Sequence, residues 1–598
     1  MNKIKFTLFL FLLLSMLASA CTPAPGVEPT QAVVEPTQAV VEPTQAVVEP
    51  TQAVVEPTQT GEVVAPTEHN PDSIVRFTED WPTYIDPAVG NDFSDSMAII
   101  NLYDSLVFPQ LDGSIIPWLA TEWTVSDDSL TYTFKLREDV KFHNGDQLTS
   151  EDVVFSAERL LAIGQGYSYM FRTKDKDGNI IAGIETVKAL DDYTVEFKLV
   201  KPFAPFISVL VRLYIVNKNQ VMANLDMTDT SYGEFGDYGK TWILTNDAGS
   251  GPYMVKEMKM QEYLFAEKFD GFWGGWEDGS PDFFREFAWP GEVSVRTLMK
   301  NREEEISSEF LPPEGYVVLD AVEGIDDAAW LAPHNLSIMM NTKKSPTDDV
   351  HFRKALSYIM DYSVIVTDIW PKYVQSRGPV PQTIPGHDPN VFQYTRNIDM
   401  AKAELALSKY AGQENIPFTL SWCAEVPAEE RVALLFQANA AEIGVNVEIF
   451  KKPFGSMIDD AQTQDTTPNG SIVYVASSYN EAGAMLKTMY HSSSQGTWEN
   501  MEWISSPELD AAIDDALATM DKAARFAKYA TIQATLVDMA PVIWLADQGM
   551  EFVYQDYLLW PVVELVKANQ PVAPVMGYSH YVHDMKLDLV RKAELLGK

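Results

Sequence analysis

His580 and His583, spaced three apart and followed by Asp584, form the arrangement in this chain most suited to placing metal ligands on one face. No further ligand of recognisable spacing accompanies them, so a surface or packing role is expected, with no metal and no cofactor. The sequence has no nucleophile elbow, phosphate loop or zinc-protease motif. Carboxylates are so abundant, with 85 Asp and Glu, that chance pairs carry no implication of hydrolysis. The expected chemistry is capture without turnover, and the protein is not expected to be an enzyme. Trp422, Trp498 and Trp503 offer flat faces that suit sugar rings and apolar peptide side chains alike. Burial in a core is the competing use for each.

The 598 residues carry 44 Lys and Arg against those 85 acids, a formal net charge of -41. Such a surface repels nucleic acid and anionic lipid, which excludes nucleic acid as a partner, and acidic solvation of an exported protein accounts for it. The two cysteines are Cys21 and Cys423. No disulfide framework is available once Cys21 is modified, and Cys423 reads as a small buried residue.

The front of the chain explains why Cys21 would be modified. Lys3 and Lys5, an apolar run from Phe6 to Leu17, and Ala18-Ser19-Ala20 make an export signal, shorter than the roughly 20 residues a spanning helix needs. Cys21 resembles the acylated residue of a bacterial lipoprotein, although that motif favours leucine where this chain has Ala18. The resemblance implies that residues 1–20 are removed and that acyl chains hold the mature protein at the membrane, facing the periplasm or the cell exterior. Val-Glu-Pro-Thr-Gln then recurs every seven residues from Val27 to Gln59. Its prolines, from Pro29 to Pro57, interrupt helix and strand, and its large apolar groups are too few for a core. Residues 21–73 are therefore expected to be a tether, reaching about 160 Å at full polyproline extension and roughly 40 Å as a coil.

From Ile74 the composition becomes globular, with enough chain for two or three domains and a cleft between them. Asp127-Asp128 followed by Leu130, Tyr132, Phe134 and Leu136 reads as a turn and a half-buried strand, and Asp191-Asp192 with Tyr193, Val195, Phe197 and Leu199 repeats it. Between them, Thr149 caps a helix with Asp152 at N3, Leu148 against Val153 as a staple, and Val153, Ala157, Leu160 and Leu161 as its stripe. Asp349 caps another helix with Phe352, Leu356 and Ile359 on one face. Ser506-Pro507 opens a third presenting Leu509, Ile513, Ala516 and Met520. Ile416–Leu420, the apolar positions of Ala433–Ile443, and Val445–Ile449 read as strand, helix, strand. Ligands of such α/β units sit at the carboxyl ends of the strands.

These landmarks lie among phrases that resemble the extracellular solute-binding proteins of family 5, the peptide and nickel binding class serving ABC importers. The most specific is Leu130-Thr131-Tyr132-Thr133-Phe134-Lys135-Leu136-Arg137, followed by Val140-Lys141-Phe142-His143-Asn144-Gly145, Leu148-Thr149 and Glu151-Asp152-Val153. Gly249-Ser250-Gly251-Pro252-Tyr253, Phe272-Trp273, Asn341-Thr342-Lys343, Arg353-Lys354-Ala355-Leu356 and Pro507-Glu508-Leu509-Asp510 keep the family's order. The resemblance covers nearly all of residues 74–550.

It implies a bilobal α/β periplasmic-binding-protein-like fold, type II and of the large cluster C kind, with an extra domain in lobe one. The expected boundaries are 74–116, 248–337 and 548–598 for the core of lobe one, 117–247 for the extra domain, and 338–547 for lobe two. The implied partners are a peptide ligand and ABC permease subunits, with the protein a monomer. Peptide binders of this family often carry Asp-Tyr in a lobe-two loop, where the carboxylate pairs with the peptide ammonium. This chain has Ser477-Ser478-Tyr479-Asn480-Glu481 there. Losing the aspartate removes a charge-assisted bond of about 1.5 to 3 kcal/mol. Glu481 is one candidate to replace it. Ser478, Tyr479 and Asn480, with Trp422 and Trp498, equally suit an oligosaccharide, which stays open as a ligand. Surface adhesion is the competing class, on the tether and the acidity.

Overall fold

The computed structural model describes residues 69–79, 82–174 and 179–598. The export signal, Cys21 and the repeat lie outside these residues. Among the described residues, no helix is long and apolar enough to cross a membrane.

The described chain forms two lobes of mixed α/β structure around three main sheets. The first sheet orders its strands Ile74–Thr78, Phe283–Phe287, Tyr263–Lys268 and Tyr253–Lys259, the first pair parallel and the others antiparallel. The second is antiparallel, in the order Ala120–Val125, Thr131–Leu136, Thr194–Leu199 and Ile184–Asp191. Its alternation follows the period-two pattern, for Tyr132, Phe134 and Leu136 on one strand and Val195, Phe197 and Leu199 on the next are buried. The helix Ser150–Ile163 packs over this sheet. It opens with a capping box in which the Thr149 amide donates to Asp152 at 2.9 Å. Both sheets share one hydrophobic core, so the region of the extra domain is continuous with the rest of lobe one.

The second lobe is built on a six-stranded sheet in the order Val374–Gln375, Val542–Gln555, Ile325–Met340, Gly470–Ala476, Ile416–Cys423 and Val445–Lys452. The last two strands are parallel, Ile416 opposite Val445, and the helix Glu429–Ala441 connects them. Asp349 caps the helix Val350–Ile359 by accepting from Phe352 N, and Ser506 caps Pro507–Leu517 by accepting from Leu509 N. This last helix is shorter than its periodicity predicts. It stops at Leu517, and Met520 is 44% exposed, because Asp521 immediately caps a new helix, Lys522–Met539.

Ile325–Met340 and Val542–Gln555 run antiparallel from one lobe into the other. At one end Ala328, Trp330 and Phe552 enter the first core, and at the other Leu336, Ile338 and Ile543 enter the second. Between them the register breaks: Leu331 faces Gly549, but Asn335 faces Asp547. Pro333 lies in this break, where its missing N–H interrupts the ladder and its carbonyl accepts from Ser477 N at 3.1 Å. Side chains replace the lost ladder bonds. Ser376 Oγ donates to Asp547 Oδ1 at 2.7 Å, Asn335 Nδ2 donates to Ser376 Oγ at 2.9 Å, and Gln382 N donates to Asp547 Oδ2 at 3.0 Å.

Lobe one contains an almost solvent-free ion pair. Arg159 donates to both oxygens of Asp86 at 2.6 Å, and its Nε donates to Tyr238 O at 2.8 Å. Removing one partner strands a buried charge, so Asp86→Ala is expected to cost about 3–5 kcal/mol in chemical denaturation. Glu304, fully buried, is pushed up to about 8 by desolvation, with the Glu305 charge adding to it. The native state therefore keeps a proton that the unfolded chain releases near 4.5. This group costs stability as pH rises from there toward 8, and the loss levels off above. Glu304→Gln is expected to melt progressively higher than the parent as pH is raised from 5 to 8; a constant gap across that range would contradict the assignment.

Candidate functional site

A cleft with about 920 Å³ of empty space, part of it open to solvent, lies between the lobes. Lobe one contributes Glu79 at the end of its first strand, Asp92 and Phe93 at the start of the helix Phe93–Leu102, Trp289, and Met576. Lobe two contributes Cys423, Glu425 and Glu429 where the strand Ile416–Cys423 passes into its helix, and Phe454 just after the parallel strand Val445–Lys452. Tyr474 and Ala476, on the strand Gly470–Ala476, and Trp498 complete that wall. The two parallel strands thus deliver their carboxyl ends to the cleft, as α/β topology requires.

The lobe-two wall is organised by carboxylates. Glu425 Oε2 accepts from Phe454 N at 3.0 Å and from Cys423 Sγ at 3.1 Å, and Glu429 Oε2 accepts from Cys423 N at 2.7 Å. Burial pushes the Glu429 carboxyl well above its ordinary range, and the neighbouring charge of Glu425 pushes it further. The Cys423 thiol is likewise raised by burial and by these two acids, which removes thiolate character. Behind them Tyr373 and Tyr474 share a hydroxyl contact of 2.9 Å. Burial pushes Glu309, between the lining residues Ser308 and Phe310, up to about 8, and does the same to Glu499 beside Trp498. Among the described residues, no lysine, arginine or histidine lines the cleft.

The lobes are in contact along the edge formed by residues 111–213. Arg212 is fully buried, and its Nε donates to Ser478 O across the lobes at 3.0 Å. Its Nη2 donates to Met576 O at 2.8 Å and its Nη1 to Tyr214 Oη at 3.3 Å. The Tyr169 and Ser478 hydroxyls meet at 2.9 Å, and Ala204 N donates to Leu517 O at 2.7 Å. Lys201 pairs with Asp514 at 3.0 Å, and the Asp514 carboxyl is held well below its ordinary range, where burial opposes the shift and His491, Lys487 and Lys201 produce it. Asn480 packs onto Gly113, whose φ of +81° and missing side chain make room for the amide.

The residues predicted from sequence divide between these roles. Trp498 lines the cleft, edge-on to Phe454 at 5.3 Å between ring centroids. Trp422 is buried in the second core with Lys451 Nζ 5.1 Å from its ring, while its neighbour Cys423 reaches the cleft. Ser478 and Asn480 meet lobe one as described, and Tyr479 is buried in the first core. Glu481 accepts from Arg525 through both oxygens at 2.9 and 2.8 Å and from Tyr529 Oη at 2.7 Å, which fixes it inside lobe two. The structure thus brings the 478–480 loop to the lobe interface, and Trp498 alone of the six to the cleft wall. Glu425, Glu429 and Phe454 were missed, although the strand, helix, strand order pointed to their position. His580 packs among Phe77, Phe552 and Trp560, whereas His583 contacts Asp584 and Gly275 O, so each histidine has its own partners.

Comparison with known proteins agrees with this architecture. Residues 114–497 match the family described as bacterial extracellular solute-binding proteins, family 5 Middle. The probable D,D-dipeptide-binding periplasmic protein DdpA of Escherichia coli is 27% identical over 484 residues, 79% of this chain and 87% of the relative. The glutathione-binding protein GsiB of Pectobacterium atrosepticum is 26% identical over 480 residues, 78% and 87% of the two chains. Among solved structures, the periplasmic binding protein DppA from Helicobacter pylori, in complex with the peptide STSA, superposes with a TM-score of 0.73 at 21% identity, covering 86% of this chain and 98% of that one. The family consists of solute-binding receptors rather than enzymes, and the bilobal α/β fold is theirs. This chain belongs to the extracellular solute-binding proteins of family 5.

Proposed function

We propose that the protein captures a small peptide between its lobes and hands it to an ABC importer while anchored to the membrane through Cys21. The carrying observation is the cleft itself, with carboxylates and aromatic rings on both walls and an edge where the lobes bond directly. A peptide supplies an ammonium for the carboxylates and apolar groups for the rings. Peptide-binding relatives support the same choice. An oligosaccharide has rings to stack on Trp498 and hydroxyls that donate to carboxylates, but no positive charge to offset that of the acids. The boundaries 74–116, 117–247, 248–337, 338–547 and 548–598 are retained as the domain division, with the crossing strands as the hinge.

In this reading Arg212 is a closure residue. Small peptides are expected to raise the melting temperature and reduce the radius of gyration measured by X-ray scattering; no response to any peptide, with a response to oligosaccharides, would reverse the ligand assignment. Arg212→Met is expected to weaken peptide binding about tenfold, mainly through faster release, as measured by stopped-flow fluorescence. A Cys21→Ser chain is expected to leave the membrane fraction and to lose acyl mass in intact-protein spectrometry. Its retention with the membrane would argue against the lipid anchor.

A further inference from the structure

The charges around the cleft are one-sided in a way that a peptide ligand alone does not require. Glu79 and Asp92 on lobe one face Glu425 and Glu429 on lobe two, and no basic side chain among the described residues joins them in the lining. Arg212 touches the carbonyl of the lining residue Met576, but all three of its nitrogens are engaged, two by carbonyls and one by the Tyr214 hydroxyl. Arg525 is held by Glu481 and is likewise committed. Among the described residues, no cationic side chain in the cleft wall is therefore placed to pair with a ligand carboxylate.

Glu429 supplies an independent observation. It is fully buried, its Oε2 accepts from Cys423 N, and its Oε1 has no hydrogen-bond partner among the described residues. A buried carboxyl oxygen without a partner costs free energy that an N–H of the ligand would recover, and a cationic nitrogen there would let the desolvated acid ionise. The rings of Phe93, Trp289, Phe310, Phe454, Tyr474 and Trp498 surround the same space. Their faces attract a cation in a water-poor site and do nothing for an anion. The raised Glu429 carboxyl fits a group that lacks its counter-cation.

We propose that the cleft selects a ligand of net positive charge, with a cationic nitrogen against Glu425 and Glu429, and discriminates against zwitterions. Resting on the peptide reading, this names the class as small peptides in which a basic side chain or a blocked carboxyl terminus leaves a net cation. A zwitterionic dipeptide gains the ammonium contacts but must bury its carboxylate among acids without a partner.

The test is calorimetry on the full chain in detergent with four probes: Ala-Ala, Ala-Ala amide, N-acetyl-Ala-Ala, and maltotriose. The amide is expected to bind on the order of 10- to 100-fold more tightly than Ala-Ala, the size of one charge-assisted contact, with no measurable binding of the acetylated peptide. Glu429→Gln is expected to shrink the amide preference to within about threefold. Glu425→Gln, whose side-chain oxygen still accepts from Phe454 N, gives the same comparison if the first variant does not fold. Equal affinity for Ala-Ala and its amide would overturn the charge selection and leave the peptide receptor intact. Binding of maltotriose alone, or of no probe, would overturn both.

Discussion

The relation between the lobes depends on one antiparallel pair of strands that changes register midway. A continuous ladder over its whole length would stiffen the crossing. Instead, the segment between Leu331 and Asn335 contains Pro333, and the side chains of Asn335, Ser376, Gln382 and Asp547 take over from main-chain pairing. A flexure built from side-chain hydrogen bonds can re-form them at slightly different angles, whereas each lobe keeps its own packed core. The motion expected of the fold is thus concentrated at these few residues.

Two different kinds of force meet at the cleft. Across the far edge the lobes touch through an arginine on the Ser478 carbonyl, a hydroxyl pair, a main-chain bond and the Lys201–Asp514 pair. Inside, acids and aromatic rings face one another, with no basic residue in the lining among the described residues. Like charges on opposing walls work against approach, and edge contacts work for it. On the proposed reading, a cation placed between the acids would remove that opposition, and the balance of closure would fall to the ligand's charge. The acidity of the whole chain, at a formal net charge of -41, adds a weak, salt-sensitive pull on the same ligands.

Much of this architecture was legible in the sequence because it rests on local rules. Thr149 with Asp152, Asp349 and Ser506 each cap as their side chains require, and Tyr132, Phe134 and Leu136 alternate into the core as a strand must. Met520 escaped that logic because the apolar period continues past the helix end at Leu517, right up to a cap, Asp521, that starts another helix. The site was less legible. Glu481 sits in the right loop with the right charge, yet Arg525, 44 positions later in the chain, claims both of its oxygens. Glu429 is one acid among 85, and only its burial beneath Cys423 and the absence of a partner for Oε1 distinguish it. Long-range pairing and burial are tertiary facts that spacing along the chain does not carry.

Arg212 grips its neighbours by main-chain oxygens, those of Ser478 and Met576, and not by a carboxylate. A clasp that reads backbone is indifferent to the side chain at position 478. The Arg212 part of the fastening therefore survives a change of side chain at 478, whereas the Tyr169–Ser478 hydroxyl pair and the packing of Asn480 on Gly113 do not. On the proposed reading, choosing belongs to Glu425 and Glu429 in the cleft wall and closing to the Arg212 clasp, so cargo preference could be altered without redesigning that clasp.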